Sequence, residues 1–514
     1  MARSLALVFA SLLGFAPLAI AQEDHSHPVP ERLGNVRFAT TCKAAAQPAF
    51  ERGVALLHSF SYTAADSQFR EVAAADPDCA IAHWGIAMAS YHQLWDAPSA
   101  ADIAKGAAEL AKARKPAAKS GREREFIDAA AAFFGDPDTP HAQRAKAYEI
   151  AMADVAKKNP GDSEAQIFHA LALISTASPT DRTHANQKRA ADILEPLRTR
   201  YPQHPGITHY LIHAYDSAEL ASRGLEAARA YSKIAPSAPH ALHMPSHIFT
   251  RLGYWNESIA SNKAARAAAL AQGDIGEALH AMDYLTYAYL QLGKDADAER
   301  VAAALHDMKS LAADKFKIGY AANAMPVRLA IEQRRWGAAA KLEPLPASEP
   351  HVAAIVYWAR AVGHSRGGTP DDASADIAKI DESLAALRAN DDAYWTTQTE
   401  VLAGSARAWQ LAAYGKTDDA IARLRAAADI EDAIEKRPVT PGPIVPAREQ
   451  LGDMLLERGR AGAALRELKV ALAGSPNRRG ALMDAARAAE LTGDAETAKA
   501  LRAQLAGRSP DAEG

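Results

Sequence analysis

The strongest constraint on this chain is a spacing of small, large and terminating residues that recurs near its two ends. Gly53, Leu56, Ala65, Phe69 and Pro77 stand at intervals that Gly452, Leu455, Ala464, Leu468 and Pro476 reproduce, with Gly459 and Ala471 between them. Ala486, Gly493 and Ala498 then begin the pattern directly again. Small residues allow two antiparallel helices to approach closely. Such a hairpin cannot bury its own apolar face, so neighbours must stack to complete the core. A chain of 514 residues exceeds one compact core, which leaves several domains or a repeat array, and the recurrence selects the array. Ala-rich segments, 48% apolar residues and only 7% aromatics agree with a helical, soluble protein.

Between the ends the period loosens but persists. Tyr148, Met152 and Pro160 close one unit, and Ala190, Leu194 and Pro202 close another. Gly253 with Ser258, and Gly293 with Ala298, mark turns and second helices, and Trp409, Gly415, Ala420 and Leu424 fit a further unit. About ten to twelve hairpins are expected. On these offsets the chain resembles the tetratricopeptide repeat (TPR) superfamily over nearly its whole length. It also resembles a group of exported bacterial TPR proteins that carry strings such as GVALLHSF at 53–60, AHWGIAM at 82–88, HMPSHIFTRLGYW at 243–255 and VTPGPIVPARE at 439–449. The resemblance implies an all-α, right-handed superhelical solenoid. Two Pro-rich strings, Glu343 to Pro350 and Pro438 to Pro446, read as connectors. The expected organisation is therefore a leader over 1–21, a polar arm over 22–41, a main array over 42–342, middle repeats over 343–437 and a C-terminal pair over 438–514.

The leader reading rests on Arg3, the apolar run from Leu5 to Ile20 and the small-x-small sequence Ala19-Ile20-Ala21, which predict export with cleavage after Ala21. No later apolar stretch reaches the roughly 18–20 residues of a membrane span. The expected location is the periplasm or the exterior. Both cysteines, Cys42 and Cys79, fall early in the mature chain, and in an oxidising compartment a disulfide between them is the economical reading, with sulfur ligation of a metal as the alternative.

Two central segments carry histidines in metal-ligand spacing. At 100° per residue, His209, His213 and Asp216 fall at about 0°, 40° and −20°, and His240, His243 and His247 at about 0°, −60° and −20°. Each triad shares one helix face. Imidazole and carboxylate grouped this way suit a transition metal such as zinc, copper or iron, or an acid/base constellation. The competing reading is a groove that uses histidine to bond peptide carboxylates or neighbouring helices. Pro245 should kink its helix or start it.

The TPR resemblance supplies an orientation, since the first helix of each hairpin lines the concave groove. It places His240, His243 and His247 on that face, together with His280, Asp283 and Tyr287 from the next unit, His58, Trp84, Met88 and His92 from the first two, and Glu449 and Asp453 near the end. Asp283, Tyr284 and Tyr287 then become candidates for groups behind the ligands.

Other chemistries are excluded. A formal net charge of −4 without a basic stripe offers no nucleic-acid footprint. No Gly-rich phosphate loop follows a strand, and no Gly-x-Ser-x-Gly, His-Glu-x-x-His or Cys-x-x-Cys-His string occurs. Two functions remain. One is a module that binds a protein or peptide in a His/Asp-lined, metal-binding groove. The other is a periplasmic metalloenzyme, hydrolase or oxidoreductase, built on the repeat scaffold.

Overall fold

The computed structural model describes residues 31–94, 97–115, 120–308, 311–436 and 440–507. The leader and His25 and His27 lie outside them. The chain begins with α1 (Gln47–His58), α2 (Tyr62–Ala75), α3 (Ala80–Met88), α4 (Ala100–Ala113), α5 (Gly121–Phe134), α6 (His141–Lys158), α7 (Ser163–Ser175) and α8 (Ala185–Arg200). It continues through α9 (Pro205–Tyr215), α10 (Leu225–Ile234), α11 (Pro239–His243), α12 (Pro245–Leu252), α13 (Trp255–Ala271), α14 (Ile275–Gln291) and α15 (Asp295–Ala303). Next come α16 (Phe316–Glu332), α17 (Trp336–Ala339), α18 (Pro350–Gly367), α19 (Ala373–Ala389), α20 (Ala393–Ala413) and α21 (Thr417–Asp432). The last are α22 (Ala447–Glu457), α23 (Ala461–Gly474), α24 (Arg479–Leu491) and α25 (Ala495–Ala506).

Consecutive helices pack in pairs, with α11 and α12 acting together as one arm, so the array is a solenoid of TPR-like helical hairpins. Among the described residues there is no strand, and no helix is long and apolar enough to cross a membrane.

The repeated offsets have a direct structural cause. A Cβ placed on Gly53 would sit 2.7 Å from the Phe69 ring, and one on Gly452 would sit 2.4 Å from the Leu468 side chain. The small residue of each first helix makes room for the large residue of the second. The turn glycine ends the first helix. Gly253 adopts φ 69° after α12, and the Tyr254 N–H then bonds back to Phe249 O at 2.8 Å, satisfying a carbonyl the helix end would otherwise orphan. Gly459 closes α22 in the same way, with Arg460 N–H on Leu455 O at 2.9 Å.

The inner arms do not surround an empty channel. In the first hairpins the extended stretch after Glu31, expected within a polar arm, buries Leu33, Val36 and Phe38. Phe38 packs against Phe50 of α1, Trp84 of α3 and Phe126 of α5, and Arg122 caps its ring at 4.3 Å. His58 of α1 reaches across to Phe168 of α7 and Tyr210 of α9, so five successive inner arms share one aromatic core. A Cβ on Gly206 would lie 2.5 Å from His58 Nδ1, which shows how closely α9 approaches α1. Cys42 and Cys79 are joined, with Sγ–Sγ 1.95 Å and Cα–Cα 4.7 Å, which pins the entry segment to the start of α3.

The C-terminal hairpins fold back on the centre. Trp255 Nε1 donates to Asn477 O at 2.9 Å, and Arg478 reaches Tyr287 on α14. The described part of the second Pro-rich string, 440–446, runs along the inner side, where Arg328 donates to the carbonyls of Gly442 and Pro443. The first string joins α17 to α18, and one apolar cluster lies on both sides of it, from Tyr320 to Ala498. A pocket of about 600 Å³ remains beside α12 and α14, lined in part by Arg251, Trp255, Tyr287, Tyr320, Trp395 and Lys436.

Candidate metal centre

Three consecutive inner arms, α9, α11–α12 and α14, bring six histidines together. One ring nitrogen from each of His209, His213 and His240 lies within 4.8 Å of the others, and the same holds for His243, His247 and His280. The two triads adjoin, since the rings of His240 and His243, and those of His213 and His247, have centroids 6.1 Å apart. None of the six is more than 6% exposed. α11 ends at His243 and α12 begins at Pro245, whose missing N–H interrupts the helix between the ligand candidates without turning the chain away, because Met244 keeps helical angles.

The hydrogen bonds behind His209, His243 and His247 fix their protons. His209 Nδ1 lies 2.7 Å from His58 O, an acceptor only, so Nδ1 carries the hydrogen and Nε2 is bare. His243 Nδ1 lies 2.7 Å from Asn262 Oδ1, whose identity follows from the Asn262 Nδ2 donation to Ser258 O at 2.8 Å. His247 Nδ1 donates to Asp216 Oδ2 at 2.9 Å. His243 and His247 therefore present two bare Nε2 atoms to each other at 3.0 Å. Two lone pairs at that distance repel, and a cation between them removes the repulsion. Imidazole–metal bonds of about 2.0–2.1 Å at a tetrahedral angle separate two nitrogens by about 3.3 Å. His209 and His213 repeat the 3.0 Å approach in the other triad.

A shared proton is the weaker answer. Burial, followed by the neighbouring His280 and His247, holds His243 well below its ordinary pKa. Burial also lowers His247, with Asp216 offsetting part of the effect. His209, His213 and His280 are likewise held well down, first by burial. The rings of His209, His213, His243, His247 and His280 are thus kept neutral, which is the protonation state a metal requires.

Carboxylates stand behind this cluster. Asp216 does not join the facing nitrogens. α9 ends at Tyr215, and Asp216 leaves the helix with φ −75° and ψ 59°. Its carboxylate bonds the far side of His247, ion-pairs with Arg251 at 2.8 Å and lies 3.6 Å from Lys436. Burial would raise its pKa, but Lys436, Arg251 and His247 outweigh that and keep it ionised. Glu277 stands behind His240, 3.3 Å from Nδ1, and pairs with Lys317. Carboxylate-to-histidine contacts of this kind orient metal ligands.

The other expected residues separate. His280, expected behind the ligands, completes a triad. The Tyr284 hydroxyl lies 3.5 Å from His247 Nε2 and stays beside the centre. Asp283 is taken by Arg328 at 2.7 Å, and Tyr287 accepts from Arg478. Trp84 and Met88 are core residues, and His92 stacks on Tyr62 at 4.4 Å. Glu449 pairs with Arg478, and Asp453 pairs with Arg366. His58 belongs to a separate brace. Glu164 accepts from His58 and His204 at 2.9 Å each, Tyr210 lies 2.9 Å from His58 Nδ1, and His204 Nδ1 accepts from Ile207 N–H. That brace leaves no bare nitrogen, and its effect on the centre is to hold the His58 carbonyl against His209. The disulfide occupies both sulfurs, which removes thiolate ligation.

Sequence reasoning did not single out Asn262, Glu277 or Lys436. Glu277 precedes His280 by three residues and was legible as a same-face neighbour. Asn262 and Lys436 come from other elements, and no local pattern marks them.

No family model matches the chain, and no curated protein matches it. Solved structures similar to it include the human IFIT1 dimer with PPP-AAAA, at 11% identity and TM-score 0.39, covering 83% of this chain and 90% of that one. Ypp1 is similar at 10% identity and TM-score 0.46, covering 83% and 64%. The Cut9–Hcn1 hetero-tetramer of the APC/C is similar at 13% identity and TM-score 0.37, covering 88% and 78%.

Proposed function

We propose that this chain is an exported helical-repeat metalloprotein whose activity depends on a transition metal held by the buried histidine cluster. The observation that carries this reading is the pair of bare Nε2 atoms of His243 and His247, 3.0 Å apart and each fixed from behind by an acceptor. A groove that used histidine to contact a peptide would present these rings to solvent, whereas all six are buried and face one another. The metalloenzyme reading, as hydrolase or oxidoreductase, therefore has the stronger support. In it the pocket beside Arg251, Tyr287 and Lys436 receives the substrate, because Arg251 lies one turn beyond His247 on α12 and Tyr287 lies just beyond Tyr284 on α14. A protein or peptide partner would approach through the same opening. Export is supported by the N-terminal apolar run and by the Cys42–Cys79 bond, which suits an oxidising compartment.

The test is elemental analysis of protein purified from the periplasm without chelator, beside the His243→Ala/His247→Ala double variant. Near-stoichiometric zinc, copper or iron in the wild type, reduced in the variant, is the expected result. Wild-type protein that carries no metal and takes up none from added zinc, copper or iron salts overturns the reading.

A further inference from the structure

We propose that the cluster is a paired site that takes two copper ions in the monovalent state, one in the His209–His213–His240 triad and one in the His243–His247–His280 triad. The inference rests on the metal-centre reading above and goes beyond it in number and in kind of ion.

The number follows from geometry. Each triad converges on its own within 4.8 Å, and each contains its own close pair of nitrogens, at 3.0 Å in both cases. A single ion at the junction would leave one of these pairs facing across nothing. The supports are also separate. The first triad is held by the His58 carbonyl and Glu277, and the second by Asn262 and Asp216. Adjoining rings 6.1 Å apart place the two triads side by side, in one enclosure walled by α9, α12 and α14.

The kind of ion follows from charge. All six inward donors are imidazoles, which bring no negative charge when they ligate a metal. The two carboxylates behind them are already balanced, Asp216 by Arg251 and Lys436, and Glu277 by Lys317. Two divalent ions would bring four positive charges into a buried volume with no spare anion, a placement proteins avoid. Two cuprous ions halve that charge. Imidazole suits copper, and cuprous copper is satisfied by two or three ligands without added water, which fits a triad at most 6% exposed.

The experiment is an anaerobic titration of the metal-stripped full-length mature protein with cuprous copper, in competition with bicinchoninate. It is run beside a zinc titration and repeated on His209→Ala/His213→Ala, on His243→Ala/His247→Ala and on the chain carrying all four substitutions, with folding checked by circular dichroism. The expected result is two cuprous ions retained per wild-type chain, one in each pair variant and none in the four-fold variant, with zinc failing to displace them. One ion per wild-type chain refutes the pair and leaves the metal-centre reading standing. Two zinc ions retained in preference to copper refute the assignment of ion while keeping the pair. Retention of neither metal overturns the paired copper site. The wild-type stoichiometry decides among these outcomes even where a variant folds poorly.

Discussion

Arg478 closes the C-terminal hairpins onto the centre of the array, and its removal has a calculable consequence. The guanidinium is 1% exposed and ion-pairs with Glu449 and with Glu332 at 2.7 Å, and its third donor reaches the Tyr287 hydroxyl at 2.7 Å. Both carboxylates are nearly buried, with side-chain exposures of 6% and 9%. Arg478→Ala leaves two buried carboxylates facing each other without a cation. Breaking a buried pair by removing one partner costs about 3–5 kcal/mol. Because neighbouring hairpins stabilise each other in series, the loss should fall on α22 to α25 before the rest. Hydrogen exchange by mass spectrometry reads this directly, as faster exchange across α23 to α25 with α9 to α12 unchanged. Adding Glu449→Gln and Glu332→Gln to the Arg478→Ala chain should recover much of the protection, since the burden is uncompensated charge. A change below about 1 kcal/mol in Arg478→Ala, or uniform destabilisation of the whole array, refutes the closure argument.

Asn262→Leu removes the acceptor that fixes the His243 proton and should weaken metal binding about 10- to 100-fold, measured by chelator competition, without abolishing it; unchanged affinity contradicts the assigned tautomer. Reducing the Cys42–Cys79 bond, which spans 37 residues, should cost about 4 kcal/mol of stability in denaturant titrations and expose the Phe38 segment to exchange; an unchanged midpoint contradicts it. Burial raises Glu431 from 4.5 to about 7, with the Ala447 N–H opposing. The folded state then holds a proton that the unfolded chain releases, so stability should fall as pH rises from about 4.5 to 7, by at most about 1.4 kcal/mol per unit. Glu431→Gln should flatten that slope, and an identical pH profile for both proteins contradicts the burial account.

Much of the architecture was legible in local spacing. The small–large offsets report contacts such as Gly53 with Phe69 and Gly452 with Leu468, which lie inside one hairpin, so a single stretch of sequence encodes them. Five of the six clustered histidines were visible for the same reason, being spaced within two arms, His209 and His213 on α9 and His240, His243 and His247 on α11–α12. Asp216 was misplaced because the 100° extrapolation continued past Tyr215, where α9 stops. His280 was underrated because it stands alone on its helix, and its partners belong to the preceding arm. The open groove expected from the superfamily resemblance was the largest misreading. His58 and Trp84 sit on inner arms, where Phe38 and the Gly442–Pro443 stretch fill the inner faces from far along the chain. Contacts of that separation leave no periodic trace.

In the proposed centre, metal lies between imidazole nitrogens that face each other at 3.0 Å. The most direct measurement is anomalous diffraction from crystals of protein purified without chelator, with data on both sides of the zinc, copper and iron absorption edges. The account predicts edge-specific peaks between His243 and His247 Nε2 and between His209 and His213 Nε2, with Asp216 outside bonding distance. Metal-soaked crystals with no peak at the cluster, and with the facing nitrogens bridged by water alone, would contradict it.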